Sequence, residues 1–202
     1  MSKKLIILIG KCAVGKSEVD KRLGELGFNR CISHTTRPAR PSEQNGVDYH
    51  FISTEEYDDM HDQFLETTDY IINKNQWKYG LHKDSIKEGY NVVVVNPSGL
   101  MQILETKPED VEVFVVWLKA PLATTLERFL TREGDTLEIR SNLIDRLIRD
   151  SKDFDNKLES KLCQYEEKGS LTYWMTIDNS RDIDYRLDFI TDYIVDILGE
   201  FE

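Results

Sequence analysis

Long apolar runs are missing from this chain of 202 residues. The longest uninterrupted ones, such as Leu5 to Ile9 and Val92 to Val95, are far shorter than the roughly 20 residues that a helix needs to cross a bilayer. The opening residues Met1-Ser-Lys-Lys-Leu5 run directly into a strand-like segment without a small-residue cleavage site, so we expect no signal peptide. The sequence therefore predicts a protein that has no membrane partner.

Cysteine is scarce, and basic residues are in the minority. The three cysteines, Cys12, Cys31 and Cys163, are odd in number and far apart, which is typical of a reduced, cytoplasmic protein without a disulfide framework. With 26 Lys and Arg against 37 Asp and Glu, the formal net charge is −11, which argues against nucleic acid as a partner. Any anionic ligand must therefore be held by a local cluster of cations, which makes the positions of the arginines informative.

Linkers rich in proline and glycine, repeats and low-complexity tracts are also missing, so we predict one domain over residues 1–202. Continuous apolar segments predict strands buried on both faces at residues 5–9, 91–95, 113–118 and 173–177. Segments with helical spacing alternate with them, at about 16–27, 98–106, 121–132, 137–167 and 183–198. This alternation predicts an α/β fold in which helices flank a parallel sheet on both faces.

Residues 47–82 have a different pattern. Short strand-like pieces at 50–53, 64–66 and 69–72 are separated by polar turns, and a helix is predicted at 55–63. This pattern predicts a small mixed lobe beside the parallel sheet. Because ligands on such sheets bind at the carboxyl ends of the strands, the residues that follow each core strand are the first candidates for a site.

A phosphate-binding loop follows the first predicted strand. The stretch Gly10-Lys-Cys-Ala-Val-Gly-Lys-Ser17 matches GxxxxGK[ST] between a strand and a helix. Its glycines let the backbone N–H groups point inward at phosphates, and the helix N-terminus adds its dipole. We expect Lys16 to reach the β- and γ-phosphates of a nucleoside triphosphate and the Ser17 hydroxyl to ligate Mg²⁺. The predicted nucleoside-triphosphate-binding residues of this loop are Gly10, Lys11, Cys12, Ala13, Val14, Gly15, Lys16 and Ser17.

Two arginines three residues apart are each followed by proline, in Arg37-Pro38 and Arg40-Pro41. Each proline fixes its own φ and keeps its predecessor out of the helical region, so the segment is stiff and extended. Two guanidinium groups on a rigid segment suit a phosphate dianion, although the same pattern also fits a solvated loop.

The segment around these arginines carries a family resemblance. Ser33-His-Thr-Thr-Arg-Pro-Ala-Arg-Pro-Ser-Glu-Gln-Asn-Gly-Val-Asp-Tyr-His-Phe51 closely resembles the nucleotide-binding segment of guanylate kinases, S-x-T-T-R-x-x-R-x-G-E-x-x-G-x-x-Y-x-F, with Ser42 in place of the glycine before Glu43. The phosphate-binding loop lies at the matching distance upstream. The resemblance implies a P-loop NTPase with a parallel five-stranded sheet in the core (residues 1–34 and 83–202), a nucleoside monophosphate (NMP)-binding lobe (about 35–82) and a helical lid (about 128–150).

The resemblance also implies an activity and a set of site residues. The enzyme would use ATP and Mg²⁺ to phosphorylate GMP or dGMP, giving GDP or dGDP and ADP, as a monomer or homodimer. The implied catalytic residues are Lys16, Arg37, Arg40, Arg128, Arg132 and Arg146. The implied substrate-binding residues are Ser33, Arg37, Arg40, Tyr49, Glu66, Tyr79 and Asn96, and Asn179 is placed near the adenine.

Some of these assignments leave alternatives open. A carboxylate suits guanine because it accepts from both N1–H and the 2-amino group, and Asp69 is an alternative to Glu66 for this role. The lid arginines also fit solvated cations on amphipathic helices, with Arg149 added to the set from its spacing alone.

The chain departs from the family pattern at three positions near the base. Leu81 replaces the usual Ser or Thr, and Val94 and Asn96 replace a pair of acids. Since the second acid normally helps bind guanine, we expect a loosened or altered base preference, and the loss at Val94 removes a carboxylate that could order Mg²⁺ waters. A kinase for another deoxy or modified NMP is therefore an alternative. A non-catalytic guanylate kinase-like binding domain is a further one, disfavoured by the intact Gly15-Lys16-Ser17.

Overall fold

A computed structural model describes residues 2–41, 43–72, 75–180 and 183–200, so Ser42 lies outside the described residues. The strands are β1 (Lys3–Gly10), β2 (Asn29–Arg30), β3 (His34–Thr35), β4 (His50–Phe51), β5 (Phe64–Ile72), β6 (Asn75–His82), β7 (Gly89–Val94), β8 (Val111–Lys119) and β9 (Tyr173–Asp178). The helices are α1 (Lys16–Glu25), α2 (Thr54–Asp59), α3 (Pro97–Thr106), α4 (Leu122–Glu133), α5 (Leu137–Asp153), α6 (Leu158–Glu167) and α7 (Ile183–Gly199).

The central sheet has five parallel strands in the order β2-β7-β1-β8-β9. Alternate residues of β1 enter two separate cores. Ile7 packs with α3 and α6, whereas Ile6 packs with α1 and α7. Because both faces of β1 are covered, its side chains must be apolar at every position, which is why the sequence runs continuously from Leu5 to Ile9. The α/β fold with a parallel five-stranded sheet predicted from the sequence is confirmed.

Outside residues 47–82, the helices agree with the sequence predictions except near residue 155. The segment 137–167 was expected to form one helix, but α5 ends at Asp153 and α6 begins at Leu158. Between them the Asp155 carboxylate accepts a hydrogen bond from the Lys157 N–H at 2.9 Å, which stabilises a turn rather than a continued helix. Short polar side chains that bond the backbone in this way compete with helix formation.

The second, smaller sheet has the order β4-β3-β6-β5, with β3 and β4 parallel and the other pairs antiparallel. The two strand pieces expected at 64–66 and 69–72 form one strand, β5, and the helix expected at 55–63 is α2 followed by the 3-10 turn His61–Gln63. The unbroken strand has a functional consequence. Alternation along β5 places Glu66, Thr68 and Tyr70 on one face.

Within the described ranges, no helix is both long enough and apolar enough to span a bilayer. All three cysteines are free thiols.

Candidate active site

A cleft of about 880 Å³ lies at the carboxyl ends of β1 and β7, bordered by the small sheet and by α4 and α5. Its walls include the phosphate-binding loop, the Arg37 and Arg40 segment and the β5 face with Glu66. This is the edge of an open α/β sheet at which ligands bind. With the exception of Lys11, the structure brings all the site residues predicted from the sequence to this cleft.

The conformation of the phosphate-binding loop depends on Gly15, near its C-terminal end, and on Asn179. Gly15 has a φ of 99°, and a Cβ there would lie 2.5 Å from the Asn179 Nδ2, so only glycine fits. Asn179 is buried and donates from Nδ2 to the Val14 carbonyl at 2.7 Å. The structure thus places Asn179, predicted near the adenine, against the loop itself.

The Lys16 side chain folds back and bonds to the backbone of the same loop. Its Nζ donates to the carbonyls of Gly10 at 2.6 Å and Lys11 at 3.0 Å. Burial lowers the pKa of Lys16 from its ordinary value. Lys11 is exposed and contributes this carbonyl rather than a side chain. The ammonium group is therefore held at the loop's centre, where a triphosphate would lie.

Ser17, one residue later, is exposed in the first turn of α1. A hydroxyl oxygen beside a phosphate-binding loop fits a hard cation such as Mg²⁺. In the part of the chain that the structure describes, no group of three or more His, Cys, Asp or Glu side chains is arranged to hold a metal ion. Mg²⁺ is usually bound through one or two protein groups together with phosphate oxygens and waters, and the Ser17 hydroxyl is suited to be one such group.

Arg37 is fixed by Glu43, a residue to which the sequence prediction gave no role. The Glu43 carboxylate accepts from both Nη atoms of Arg37, each at 2.9 Å, and from the Arg40 backbone N–H at 2.8 Å. Burial alone would raise the pKa of Glu43, but the Arg37 hydrogen bonds outweigh it and the pKa lies below its ordinary value. The Arg37 Nε donates to the Tyr79 hydroxyl at 3.1 Å.

The two arginines therefore differ. The guanidinium of Arg37 is nearly covered, whereas the side chain of Arg40 is 40% exposed and reaches Glu43 only at 3.6 Å. Arg40 is the more available of the two for an incoming anion. The spacing of Glu43, three residues after Arg40, is the sequence signal that could have suggested its positioning role.

Tyr49 lines the wall next to Arg37. Its ring lies 5.6 Å from the guanidinium carbon of Arg37 and 5.7 Å from the ring of Tyr79. Burial raises the pKa of Tyr49 to about 12, so its hydroxyl stays protonated at neutral pH and can donate a hydrogen bond. Ser33 lines the same region of the cleft.

The far end of the cleft contains a buried carboxyl group. Glu66 is 5% exposed, and burial raises its pKa to about 7 against the opposing hydrogen bonds from Thr68 and the Leu81 backbone. Its Oε2 lies against Gly99, where an added Cβ would approach to 2.7 Å. Asp69 is exposed and accepts from Gln76 at 2.7 Å on the other face of β5. Of the two candidate acids, Glu66 is the one in the cleft.

Asn96 lies beside Glu66 and caps α3. Its Oδ1 accepts from the Gly99 N–H at 2.7 Å, and its Nδ2 donates to the Tyr70 hydroxyl at 2.6 Å and to the Thr68 Oγ1 at 3.4 Å. Tyr70 was missed because its strand was predicted in two pieces; an unbroken alternation from Glu66 would have placed it on the same face.

Arginines from α4 and α5 form the remaining wall, and each has a protein contact. The Arg128 Nη1 donates to the Asn179 carbonyl at 2.9 Å, and the Arg146 Nη1 donates to the Cys12 Sγ at 3.6 Å. The Arg132 Nε donates to Glu133 at 3.0 Å, and the guanidinium of Arg149 lies 4.4 Å from the centre of the Tyr70 ring. The predicted break between the helices is present, with Thr136 capping α5.

An unexpected carboxylate also reaches the phosphate-binding loop. The Cys12 backbone N–H donates to the Asp150 Oδ2 at 2.7 Å. An N–H of this kind is a phosphate ligand in such loops, so Asp150 lies where a phosphate oxygen would accept. Asp150 follows Arg146 by four residues on α5, and this shared helix face is the signal that could have identified it.

Comparisons with known proteins agree with this geometry. The family model described as guanylate kinase matches residues 2–166. The chain is 32% identical to the guanylate kinase of Desulfotalea psychrophila, over 67% of this chain and 68% of that protein. It is 30% identical to the guanylate kinase of Schizosaccharomyces pombe, over 72% of this chain and 73% of that protein.

Among solved structures, the guanylate kinase of Anaplasma phagocytophilum shares the fold, with a TM-score of 0.53 and 18% identity over 99% of this chain and 87% of that one. The fold, the phosphate-binding loop and the family match agree, and the chain belongs to the guanylate kinase family.

Proposed function

We propose that this chain is an ATP-dependent NMP kinase that transfers the γ-phosphoryl group of ATP to GMP or dGMP. The observation that carries the proposal is the cleft itself. One wall presents the phosphate-binding loop with Lys16, and a second wall presents Arg40, the fixed Arg37 and the buried carboxyl of Glu66. A donor triphosphate and an acceptor monophosphate can therefore face each other in one enclosed space.

In this proposal, an oxygen of the acceptor's phosphate attacks the γ-phosphorus of ATP, and the bond to the β-phosphate oxygen breaks to release ADP. No protein nucleophile is required, because phosphoryl transfer depends mainly on positioning and charge neutralisation. Lys16, Arg128, Arg132 and Arg146 would neutralise the donor phosphates, while Arg37, Arg40, Tyr49 and Tyr79 hold the acceptor phosphate. Mg²⁺, ligated by Ser17, would neutralise phosphate charge when bound.

The small sheet would act as the NMP-binding lobe, and α4 with α5 would act as the lid. Glu66 would accept from the N1–H and 2-amino groups of guanine, which is favourable only when its carboxyl group is ionised. We also infer a cytoplasmic location, because three free thiols suit a reducing compartment. The protein would work as a monomer or homodimer, which light scattering during gel filtration distinguishes.

The test is an assay that follows ADP release from ATP·Mg²⁺ with GMP and dGMP. Lys16→Ala and Arg40→Ala should each reduce turnover by at least about 100-fold, since each removes a charge that faces a reacting phosphate. Arg140→Ala is the matched control, because Arg140 lies on α5 but pairs with Asp135 at the exposed surface. Equal losses in all three variants, or no turnover of GMP or dGMP by the parent protein, would contradict the proposal.

A second candidate is the same chemistry on another base. It is favoured by the orientation of Asn96, whose oxygen is directed at Gly99 rather than at the cleft. The same assay with AMP, UMP, dUMP, TMP and CMP decides between the two candidates. Turnover of only one of these acceptors would support the same phosphoryl transfer with a base other than guanine.

A further inference from the structure

In the family pattern, an acid at residue 96 contacts the base directly. In this chain residue 96 is Asn, and the Tyr70 side chain lies next to it in the cleft. Its side chain lines the cleft together with Glu66, Thr68 and Asn96. Its ring is fixed on two sides, by the guanidinium of Arg149 at 4.4 Å and by the ring of Tyr79 at 5.4 Å. The hydroxyl of Tyr70 is therefore held in one place.

The hydrogen bonds of Asn96 explain why Tyr70 matters. The amide oxygen of Asn96 accepts from the Gly99 N–H and so caps α3, while its nitrogen donates to Tyr70 and Thr68. Asn96 thus directs its oxygen at the helix and its hydrogens at two hydroxyl groups. It has no outward carboxylate with which to accept from an amino group of the base.

The Tyr70 hydroxyl can take over that acceptor role. A phenol oxygen has two lone pairs, of which one accepts from Asn96 at 2.6 Å and the other remains for a ligand. Burial raises the pKa of Tyr70, so the group stays neutral at neutral pH. It is consequently a weaker acceptor than a carboxylate, yet still able to distinguish a base that donates from one that does not.

We propose that Tyr70 is a specificity-determining residue whose hydroxyl oxygen accepts a hydrogen bond from the 2-amino group of guanine, beside the contacts of Glu66. This inference rests on the proposed function. It also predicts that the Tyr70 contribution to discrimination against hypoxanthine, which is guanine without the 2-amino group, comes from an uncharged contact and is modest.

The experiment compares kcat/KM for GMP and IMP in the parent protein and in Tyr70→Phe. Phenylalanine keeps the ring between Arg149 and Tyr79 and removes only the hydroxyl. The ratio of kcat/KM for GMP to kcat/KM for IMP should fall about 3- to 10-fold, the range of one neutral hydrogen bond. The change should come from a lower kcat/KM for GMP, with the value for IMP unchanged. Tyr165→Phe is the matched control, because the Tyr165 hydroxyl bonds Glu105 at the exposed surface, and its ratio should not change.

Asn96→Asp gives a second, independent measurement if Tyr70→Phe does not fold. A carboxylate at residue 96 can still cap Gly99 and would accept the Tyr70 proton, which frees lone pairs of the Tyr70 oxygen for the base. The ratio of GMP to IMP should then rise at least about threefold. Because a carboxylate at residue 96 could also accept from the base directly, the same change is made together with Tyr70→Leu, which removes the phenol, and the rise should then be smaller. An unchanged ratio in Tyr70→Phe, or an equal rise with and without the phenol, overturns the inference.

The outcomes separate this inference from the proposed function. If the parent protein does not turn over GMP, the proposed function fails, and the role of Tyr70 is decided by calorimetric Kd values for GMP and IMP in the parent protein and Tyr70→Phe. A Kd ratio that falls in Tyr70→Phe supports the inference, whereas an unchanged ratio, or no binding of GMP, overturns it. If GMP is turned over normally but its ratio to IMP is the same in both proteins, only the inference fails.

Discussion

Glu66 is a carboxyl group enclosed by protein on the base side of the cleft, with Gly99 leaving just enough room for it. Its pKa of about 7 means that ionisation occurs in the range where the enzyme would work. Because only the ionised form accepts from both N–H groups of guanine, the KM for GMP should fall about tenfold between about pH 6 and pH 8. The measurement is a series of KM values for GMP at saturating ATP.

A control is needed because the phosphate of GMP itself titrates near pH 6. Glu66→Gln cannot ionise at residue 66, so its KM profile contains the phosphate contribution alone. The parent profile should be steeper than that of Glu66→Gln. Two parallel profiles would show that Glu66 does not contact the base in its ionised form.

The same carboxyl group affects stability, with a sign that follows from its pKa. The pKa rises from 4.5 to about 7 on folding, so the fold favours the protonated form and stability is lost as the pH rises through this interval. At about pH 8, Glu66→Gln should be more stable than the parent protein by up to about 3 kcal/mol, and the difference should vanish below about pH 4.5. Urea unfolding at the two pH values measures this, and Asp69→Asn, an exposed acid on the same strand, should show little change.

The Asp150 carboxylate lies at the phosphate-binding loop, where the proposed function places an ATP phosphate. The carboxylate accepts the Cys12 N–H, and a bound phosphate oxygen needs that donor and is repelled by that charge. Asp150→Asn should therefore lower the Kd for ATP at least about fivefold, a small part of the ~4 kcal/mol between unit charges 4 Å apart at a protein surface. Calorimetry measures the Kd. Asp145→Asn makes the same change of net charge on the exposed side of α5, and an equal effect there would refute the direct role of Asp150.

At the scale of residues, the sequence predicted many of the residues that line the cleft, but not the contacts that these residues make with one another. Lys16 and Arg40 belong to motifs with fixed spacing, so their positions could be predicted, whereas Glu66 was predicted with Asp69 as an open alternative. The roles of Glu43, Tyr70 and Asp150 depend on which neighbour each side chain meets, and those neighbours are distant in the chain. The Cys12 N–H, for example, is 138 residues from Asp150.

At the scale of elements, β6 passes so close to α2 and β5 that it requires a glycine. A Cβ on Gly80 would lie 2.9 Å from both the Phe64 ring and the Tyr57 hydroxyl, which itself donates to the Tyr79 carbonyl. Gly80→Ala should lower the free energy of unfolding by about 1–3 kcal/mol, because the rings must shift. It should also raise the KM for GMP by moving Tyr79.

Urea unfolding and GMP kinetics measure the two effects, with Gly199→Ala as the control. Gly199 ends α7, and a Cβ there would meet nothing within 4 Å. That variant should therefore be neutral or slightly stabilised. Equal stabilities for Gly80→Ala and the parent protein would show that the small sheet adapts without cost.

Helices and strands were predicted from the sequence where a single hydrophobic periodicity dominates a segment. The four longer strands of the central sheet are largely apolar, so their existence could be predicted from the sequence, whereas the short polar strand β2 and the order of the strands were not predicted. The single strand β5 was not predicted either, because Thr67, Thr68 and Asp69 interrupt its apolar character and its pairing with β6 decides its length. Likewise, the end of α5 depends on the local turn at Asp155, which has little effect on helical periodicity.

At the scale of the whole molecule, a chain of net charge −11 concentrates cations around one cleft. The three walls of the cleft already touch one another. Arg149 of α5 stacks on Tyr70 of the small sheet, Asp150 meets the phosphate-binding loop, and Arg40 lies 4.0 Å from Glu133 of α4. A ligand that moves one wall would therefore move residues of the other subsite, which is the condition for coupling between the two binding events.

We accordingly expect GMP to raise the affinity for a non-hydrolysable ATP analogue at least about fivefold, a coupling of ~1 kcal/mol, and the analogue to raise the affinity for GMP by the same factor. Calorimetric titration of each ligand, with and without the other, measures the two factors by which the Kd values change. Thermodynamics requires these two factors to be equal, so their agreement checks the measurement. Arg149→Gln removes the stacked cation between α5 and Tyr70 and should reduce the factor towards one. Arg140→Gln changes an exposed arginine of the same helix and should keep it. If both variants retain the full coupling, the contact between Arg149 and Tyr70 does not transmit it, and the coupling must arise from ligand contacts alone.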